Sequence, residues 1–178
     1  IYAGQQALDI ANNLLPDETI DAMKKYRVSI KGPLTTPIGN GFKSINVSIR
    51  QKLDLFACVR PIRYFPGTNS PMVESNMTDM VVFRENTEDL DTGIEWEPNS
   101  EGAKKIINFI KEELGTSPFR FEEHCGIGVK PVSKEGTSRL IKAAFDEAIK
   151  RKRKSVTLVH KGNIMKFTEG AFRDWGYE

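Results

Sequence analysis

Lys161 and Asn163 stand in the run Leu158-Val159-His160-Lys161-Gly162-Asn163-Ile164-Met165-Lys166-Phe167-Thr168, where an apolar, strand-like pattern gives way to a turn and then to a helical pattern. An ammonium and an amide at the end of a strand can hold an oxyanionic, hydroxylated ligand. Upstream, Arg50, Arg60 and Arg84 each lie just past or inside a short apolar run. A guanidinium grips a carboxylate through two parallel hydrogen bonds, so this set of cations suits a ligand with several carboxylates. Ser44-x-Asn46-x-x-x-Arg50 adds to it. On a helix, positions 46 and 50 share one face, and a hydroxyl at position 44 would sit beside unpaired backbone N–H groups, a ready anion site. The plainer reading is an N-cap serine and a surface arginine.

Arg60, Arg63 and Arg84 follow strand-like runs. They are either solvated strand ends or convergent on one crevice, because neighbouring strand ends in an open α/β sheet gather there. The acids of Arg84-Glu85-Asn86-Thr87-Glu88-Asp89 could orient Arg84, hold a metal or solvate a loop. The loop Lys31-Gly32-Pro33-Leu34-Thr35-Thr36-Pro37 has the glycine and hydroxyls that permit close approach of a nucleotide. The Gly-rich dinucleotide and Walker fingerprints are absent.

The elements that must position these side chains alternate between helical and extended patterns, which makes the class α/β. Pro16-Asp17-Glu18 opens a helix, with proline in the first turn and acids at its positive end. Val28 to Ile30 reads as a strand and residues 31–41 as a loop. Ser44 opens a helix carrying Ile45, Ile49 and Leu53 on one face. Leu55 to Val59, Ile62 to Phe65 and Met80 to Phe83 read as strands, with a polar loop over 66–78. Ser100 and Ser133 cap two amphipathic helices, the second ending in the basic run Lys150 to Lys154, which the helix dipole explains better than nucleic acid does. A strand is expected over Ser155 to Val159 and a helix from Thr168. The stretch Thr92 to Val132 breaks the alternation and is expected to protrude as an arm.

The chain has 178 residues, 39% hydrophobic and 28% charged, with a net charge of +2. That composition suits a globular protein and gives no bulk electrostatic case for nucleic acid or membrane. No run approaches a membrane span or a signal peptide. Ile1 is not a natural start, and both ends are expected to have been cut from a longer chain. Cys58, in an apolar run, is expected to be a buried thiol in a reducing compartment. Without a second Cys pair, His124 and Cys125 read as structural.

The motifs quoted so far, with Arg60-Pro61-Ile62-Arg63-Tyr64, Gly126-Ile127-Gly128-Val129-Lys130-Pro131 and the continuation to Glu169-Gly170, resemble the bacterial-type isocitrate dehydrogenases of the β-decarboxylating dehydrogenase family. They occur in the family's order across nearly the whole chain. The resemblance implies the isocitrate/isopropylmalate dehydrogenase-like fold, partial, divided as 1–55 in the large domain, 56–91 and 133–178 in the small domain, and 92–132 as a clasp arm. It implies that Ser44, Asn46, Arg50, Arg60 and Arg84 hold the carboxylates of isocitrate, with Ser44 also a site of inhibitory phosphorylation. Lys161 would lie near the substrate hydroxyl, supplied across a homodimer interface. Thr35, Thr36 and Asn163 would touch NADP (or NAD) or substrate. A divalent metal, Mg²⁺ or Mn²⁺, and a cytoplasmic location complete what the resemblance implies.

Two departures stand out. The family's proton-donating tyrosine corresponds to Asp91, a catalytic candidate whose carboxylate is normally ionised and cannot donate unless burial raises its pKa. The family's metal-binding aspartates and main adenosine loop lie downstream of the Lys-Gly-Asn-Ile-Met-Lys motif, so no metal ligand is expected in this chain. Homoisocitrate and isopropylmalate dehydrogenases are rivals, but an apolar substrate tail wants apolar residues where Ser44 and Asn46 stand. A non-catalytic homologue that binds isocitrate without turnover is another rival.

Overall fold

The computed structural model describes residues 1–34, 44–116 and 119–178. They form, in chain order, α1 (Gln5–Ala11), α2 (Asp17–Tyr26), α3 (Ile45–Lys52), β1 (Ala57–Arg63), β2 (Asp79–Glu85), β3 (Glu95–Trp96), α4 (Glu101–Glu112), β4 (Ile127–Gly128), α5 (Lys134–Lys150) and α6 (Glu169–Tyr177).

Apolar side chains from the α1–α2 link, α2 and α3 make one cluster. Ile20 and Ile45 are 3% and 2% exposed and meet Leu14, Leu15 and Ile49, with Leu53 packed alongside. Burying such a side chain is worth about 1.5–3 kcal/mol. The expected apolar face of the helix after Ser44 is therefore what anchors α3, and it fixes which way Arg50 leaves the same helix. Ser44 stands at the N-cap position without a side-chain cap bond. Ser100 and Ser133 do cap: their hydroxyls accept from Ala103 N at 3.2 Å and Gly136 N at 3.0 Å.

β1 and β2 form an antiparallel pair in which Cys58 faces Arg84, Arg60 faces Val82 and Arg63 faces Asp79. Directly opposed residues share a face of the pleat. Arg60 and Arg84 are thus on one face, one step apart diagonally, and Arg63 is on the other. The two strands expected over 55–59 and 62–65 are a single strand that runs through Pro61. Two other expected strands are absent. Val28 to Ile30 and Ser155 to Val159 carry no strand assignment. Val28, Ile30 and Val159 are 82%, 100% and 85% exposed. A strand exists through its ladder, and these segments have no partner among the described residues.

The segment expected as an arm, 92–132, holds α4 between β3 and β4, which pair antiparallel through Glu95–Gly128 and Trp96–Ile127. The first turn of α4 lies against Trp96, where a methyl on Gly102 would fall 2.2 Å from Trp96 Cδ1. Gly102→Ala is expected to loosen the arm by about 1–3 kcal/mol. Hydrogen exchange over residues 95–112 checks this, and unchanged protection would contradict the packing.

α5 packs on β2 and α6. Its basic end is used locally: Arg151 pairs with Glu147, and Arg153 grips both oxygens of Asp79 at 2.8 Å. Cys58 is half-buried rather than buried and accepts from Arg60 Nε at 3.1 Å. The ring of His124 meets the Asn99 amide at 2.8 Å, in keeping with a structural role. Among the described residues no helix is long and apolar enough to cross a membrane.

Candidate active site

Three of the expected site residues meet. Arg84 leaves the last turn of β2, and its guanidinium donates to Asn86 Oδ1 at 3.1 Å and pairs with Asp91 Oδ2 at 2.8 Å. Asn86 is 4% exposed and donates its own backbone N–H to Phe56, so the amide that aims Arg84 is itself fixed. Arg50, one turn from the end of α3, reaches Asp91 Oδ1 at 3.9 Å. The backbone of this bend is tied to the same helix, since Gln51 Nε2 donates to the carbonyls of Asp91 and Thr92 at 3.1 and 3.3 Å. Asp91 is the most enclosed of the three, with 16% of its side chain exposed against 25% for Arg50 and 44% for Arg84. A cavity of about 340 Å³ takes Arg84 and Asp91 into its wall, with Glu88, Asp89 and Glu169. A larger cleft of about 1020 Å³ between β2, α5 and residues 151–159 contains none of the expected site residues.

The other candidates are placed as follows. Arg60 shares the sheet face of Arg84. Ser44 is exposed, and Asn46 is half-buried with its Oδ1 enclosed and without a donor among the described residues. A buried carbonyl oxygen left unpaired costs about 1–3 kcal/mol, a cost a bound ligand can relieve. Lys161 and Asn163 are exposed on the turn that follows Val159. No hydrogen bond or ion pair among the described residues joins their side chains to the arginines. Thr35 and Thr36 lie outside the described residues.

The acids after Arg84 all have internal partners. Glu85 accepts from the backbone of Thr87 and Glu88 and from the Thr87 hydroxyl. Glu88 accepts from Ser133 N at 2.9 Å and Ser133 Oγ at 2.5 Å, a carboxylate set at the positive end of α5. Asp89 pairs with Lys130 at 3.2 Å. Of the readings open in the sequence, orientation of Arg84 belongs to Asp91 and Asn86, and the remaining acids shape the bend. Among the described residues no three His, Cys, Asp or Glu side chains are grouped to hold a metal ion. The described residues do not make a metal centre.

Three residues outside the expected set hold the arrangement together. Lys130 bridges Asp89 and Glu169, and the second oxygen of Glu169 accepts from Lys161 N at 2.9 Å. Burial alone would lower the pKa of Lys130, but its hydrogen bonds to Glu169 and Asp89 outweigh it and hold the ammonium above its usual value. The same bond, opposed by burial and helped by Lys161 N, holds Glu169 below the usual carboxylate range. Arg139 on α5 grips both oxygens of Asp54 at 3.0 and 2.9 Å, donates to Thr87 Oγ1 at 2.7 Å and lies over the Phe56 ring. Lys130 and Glu169 stand in motifs quoted for the resemblance, but nothing in the sequence singled out Arg139.

This geometry can be set beside known proteins. The family model described as isocitrate/isopropylmalate dehydrogenase matches residues 1–177. The isocitrate dehydrogenase [NADP] of Pseudomonas aeruginosa (strain UCBPP-PA14) is 56% identical over 180 residues, covering 100% of this chain and 43% of that protein. The isocitrate dehydrogenase [NADP] of Staphylococcus aureus (strain N315) is 56% identical over 178 residues, covering 100% of this chain and 42% of that one. The crystal structure of isocitrate dehydrogenase from Methylococcus capsulatus superimposes with a TM-score of 0.79 at 38% identity, covering 98% of this chain and 45% of that chain. The chain thus spans under half the length of the curated relatives it matches. With the match running from the first residue to the last but one, the chain belongs to the isocitrate/isopropylmalate dehydrogenase family.

Proposed function

We propose that the whole protein carrying this chain oxidises isocitrate with NADP and decarboxylates it, giving 2-oxoglutarate, CO₂ and NADPH. The observation that carries this reading is the convergence of Arg50 and Arg84 on one carboxylate, with Arg60 on the face of the sheet that Arg84 occupies. Two guanidinium groups that already share a carboxylate have the spacing to hold a substrate carboxylate. The enclosed Asn46 Oδ1, one turn before Arg50 and without a donor among the described residues, suits a donor such as the substrate hydroxyl, and its Nδ2 can donate to a carboxylate. The relatives named isocitrate dehydrogenase [NADP] favour NADP over NAD.

In this reading Arg50, Arg60 and Arg84 orient the substrate, and Ser44 and Asn46 bind its remaining carboxylate. Lys161, whose backbone is pinned by Glu169, presents its ammonium to the substrate hydroxyl of a second protomer. Asn163 and Thr35 and Thr36 belong to the nicotinamide side. The nicotinamide cofactor, when bound, accepts the hydride, and the divalent ion, Mg²⁺ or Mn²⁺, would be held by residues other than those described. A phosphate on the exposed Ser44 would place about two negative charges where the substrate carboxylate goes and shut the site. The protein is a cytoplasmic homodimer in this reading. Its large domain includes 1–55, its small domain includes 56–91 and 133–178, and the arm over 92–132 clasps the second protomer.

The non-catalytic reading has one observation in its favour: Asp91, where the family's tyrosine is expected, is paired with Arg84. Isocitrate-dependent reduction of NADP with Mg²⁺ by the whole protein separates the two. Turnover is expected; isocitrate binding with no NADPH formed would favour the non-catalytic homologue.

A further inference from the structure

We propose that Asp91 is a built-in carboxylate that occupies the Arg50–Arg84 pair and must be displaced by the incoming substrate carboxylate. The proposal rests on the reading above, that these arginines bind a polycarboxylate. Asp91 Oδ2 lies 2.8 Å from Arg84 NH2 and Asp91 Oδ1 lies 3.9 Å from Arg50 NH1, so the two oxygens of one carboxylate face two different guanidinium groups. That is the arrangement an external carboxylate would adopt between the same two side chains. The position is set by backbone rather than by chance of rotamer. The 3-10 turn over Asp89–Thr92 is tied to α3 through Gln51 and to residue 129 through Thr92 Oγ1, which donates to Val129 O. Asp91 is also the least exposed member of the cluster.

The electrostatic consequence follows from counting. Arg50, Arg60 and Arg84 supply +3, and Asp91 brings −1, leaving +2 for a ligand that carries three carboxylates. A ligand carboxylate that enters must either push Asp91 off the arginines or sit beside it, and like charges placed together in a partly desolvated site oppose binding strongly. Asp91 therefore weakens the binding of tricarboxylates and sets the affinity of the site, apart from any part it plays in proton transfer.

The test is a calorimetric titration of the whole protein with propane-1,2,3-tricarboxylate, which carries the three carboxylates but no reactive hydroxyl. Asp91→Asn, which keeps the shape and removes the charge, is expected to bind about tenfold more tightly than the parent. Asp91→Ala should do the same, and Asp91→Glu, which keeps the charge, should stay within about threefold of the parent. Thermal melts of all variants establish that they are folded. Equal or weaker binding by the folded Asn and Ala variants, with measurable binding by the parent, overturns the proposal alone. Tightening by Asp91→Glu to the level of Asp91→Asn also overturns it, since shape and not charge would then be the cause. Absence of binding by the parent and every folded variant overturns both this proposal and the reading of the arginines as a polycarboxylate site.

Discussion

Arg84→Gln in the whole protein is expected to lower kcat/KM for isocitrate by about 100- to 1,000-fold, through loss of a charged contact to a substrate carboxylate. Arg84 is the side chain on which both independent restraints act. Asn86, 4% exposed, holds one nitrogen, and the neighbouring nitrogen faces the carboxylate position that Asp91 marks. Gln keeps a donor amide but gives up the charge and the planar fork. Arg84→Lys keeps the charge and gives up the fork, so it is expected to fall between the two, still more than about tenfold below the parent. Neither change should cost much stability. The Arg84 side chain is 44% exposed, and pairs that wet are worth at most about 1 kcal/mol. Steady-state kinetics beside a thermal melt therefore separates the effects, and an unchanged kcat/KM in a folded Arg84→Gln protein would remove Arg84 from the substrate site.

Lys130→Met is expected to destabilise the fold by about 2–3 kcal/mol. Met preserves length and apolar packing while deleting the charge between Asp89 and Glu169, whose side chains are 34% and 16% exposed. Breaking a buried pair by removing one partner costs about 3–5 kcal/mol, and the partial exposure of Asp89 brings the expectation below that range. The pH dependence carries the sign. Glu169 has a lowered folded-state pKa, chiefly from its bond to Lys130, so its contribution is present above the unfolded carboxylate range and lost as pH falls through the lowered value. Lys130 is raised despite burial, so its contribution is full below the usual lysine range and lost as pH rises through the raised value. The parent should therefore show a stability plateau between the two ranges. In Lys130→Met the two carboxylates repel each other, and protonation relieves them. The difference in Tm between parent and variant should shrink as the pH is lowered toward 4, a value about that of free carboxyls. A difference that stays constant with pH would show that packing, not charge, was lost.

The parts of this fold that can be read from the residues are those whose determinants are local. Ser100 and Ser133 cap helices because a hydroxyl satisfies an amide three residues away, and both end terms lie within one short window. The face carrying Ile45, Ile49 and Leu53 is written in helical spacing. Val28 to Ile30 and Ser155 to Val159 carry equally clear apolar patterns and still form no strand, because a strand depends on a neighbour that its own residues do not specify. The continuous β1 through Pro61 has the opposite cause: β2 supplies a partner along its whole length. The site follows the same division. Arg50, Arg60 and Arg84 could be named from residue type and position, and the family's motifs assigned them roles. Lys130 with Glu169, 39 positions apart, and Glu88 with Ser133, 45 apart, could not be paired from the sequence, since nothing local records which loops the fold brings together.

Arg139 extends that lesson to motion. Its guanidinium joins Asp54, four residues past Arg50, to Thr87, three residues past Arg84, from a helix that belongs to neither segment. The separation of Arg50 and Arg84 is thereby braced from α5 as well as by Asp91 and Gln51. Any displacement of α5 would act on the segments that carry Arg50 and Arg84 together, because one guanidinium holds both.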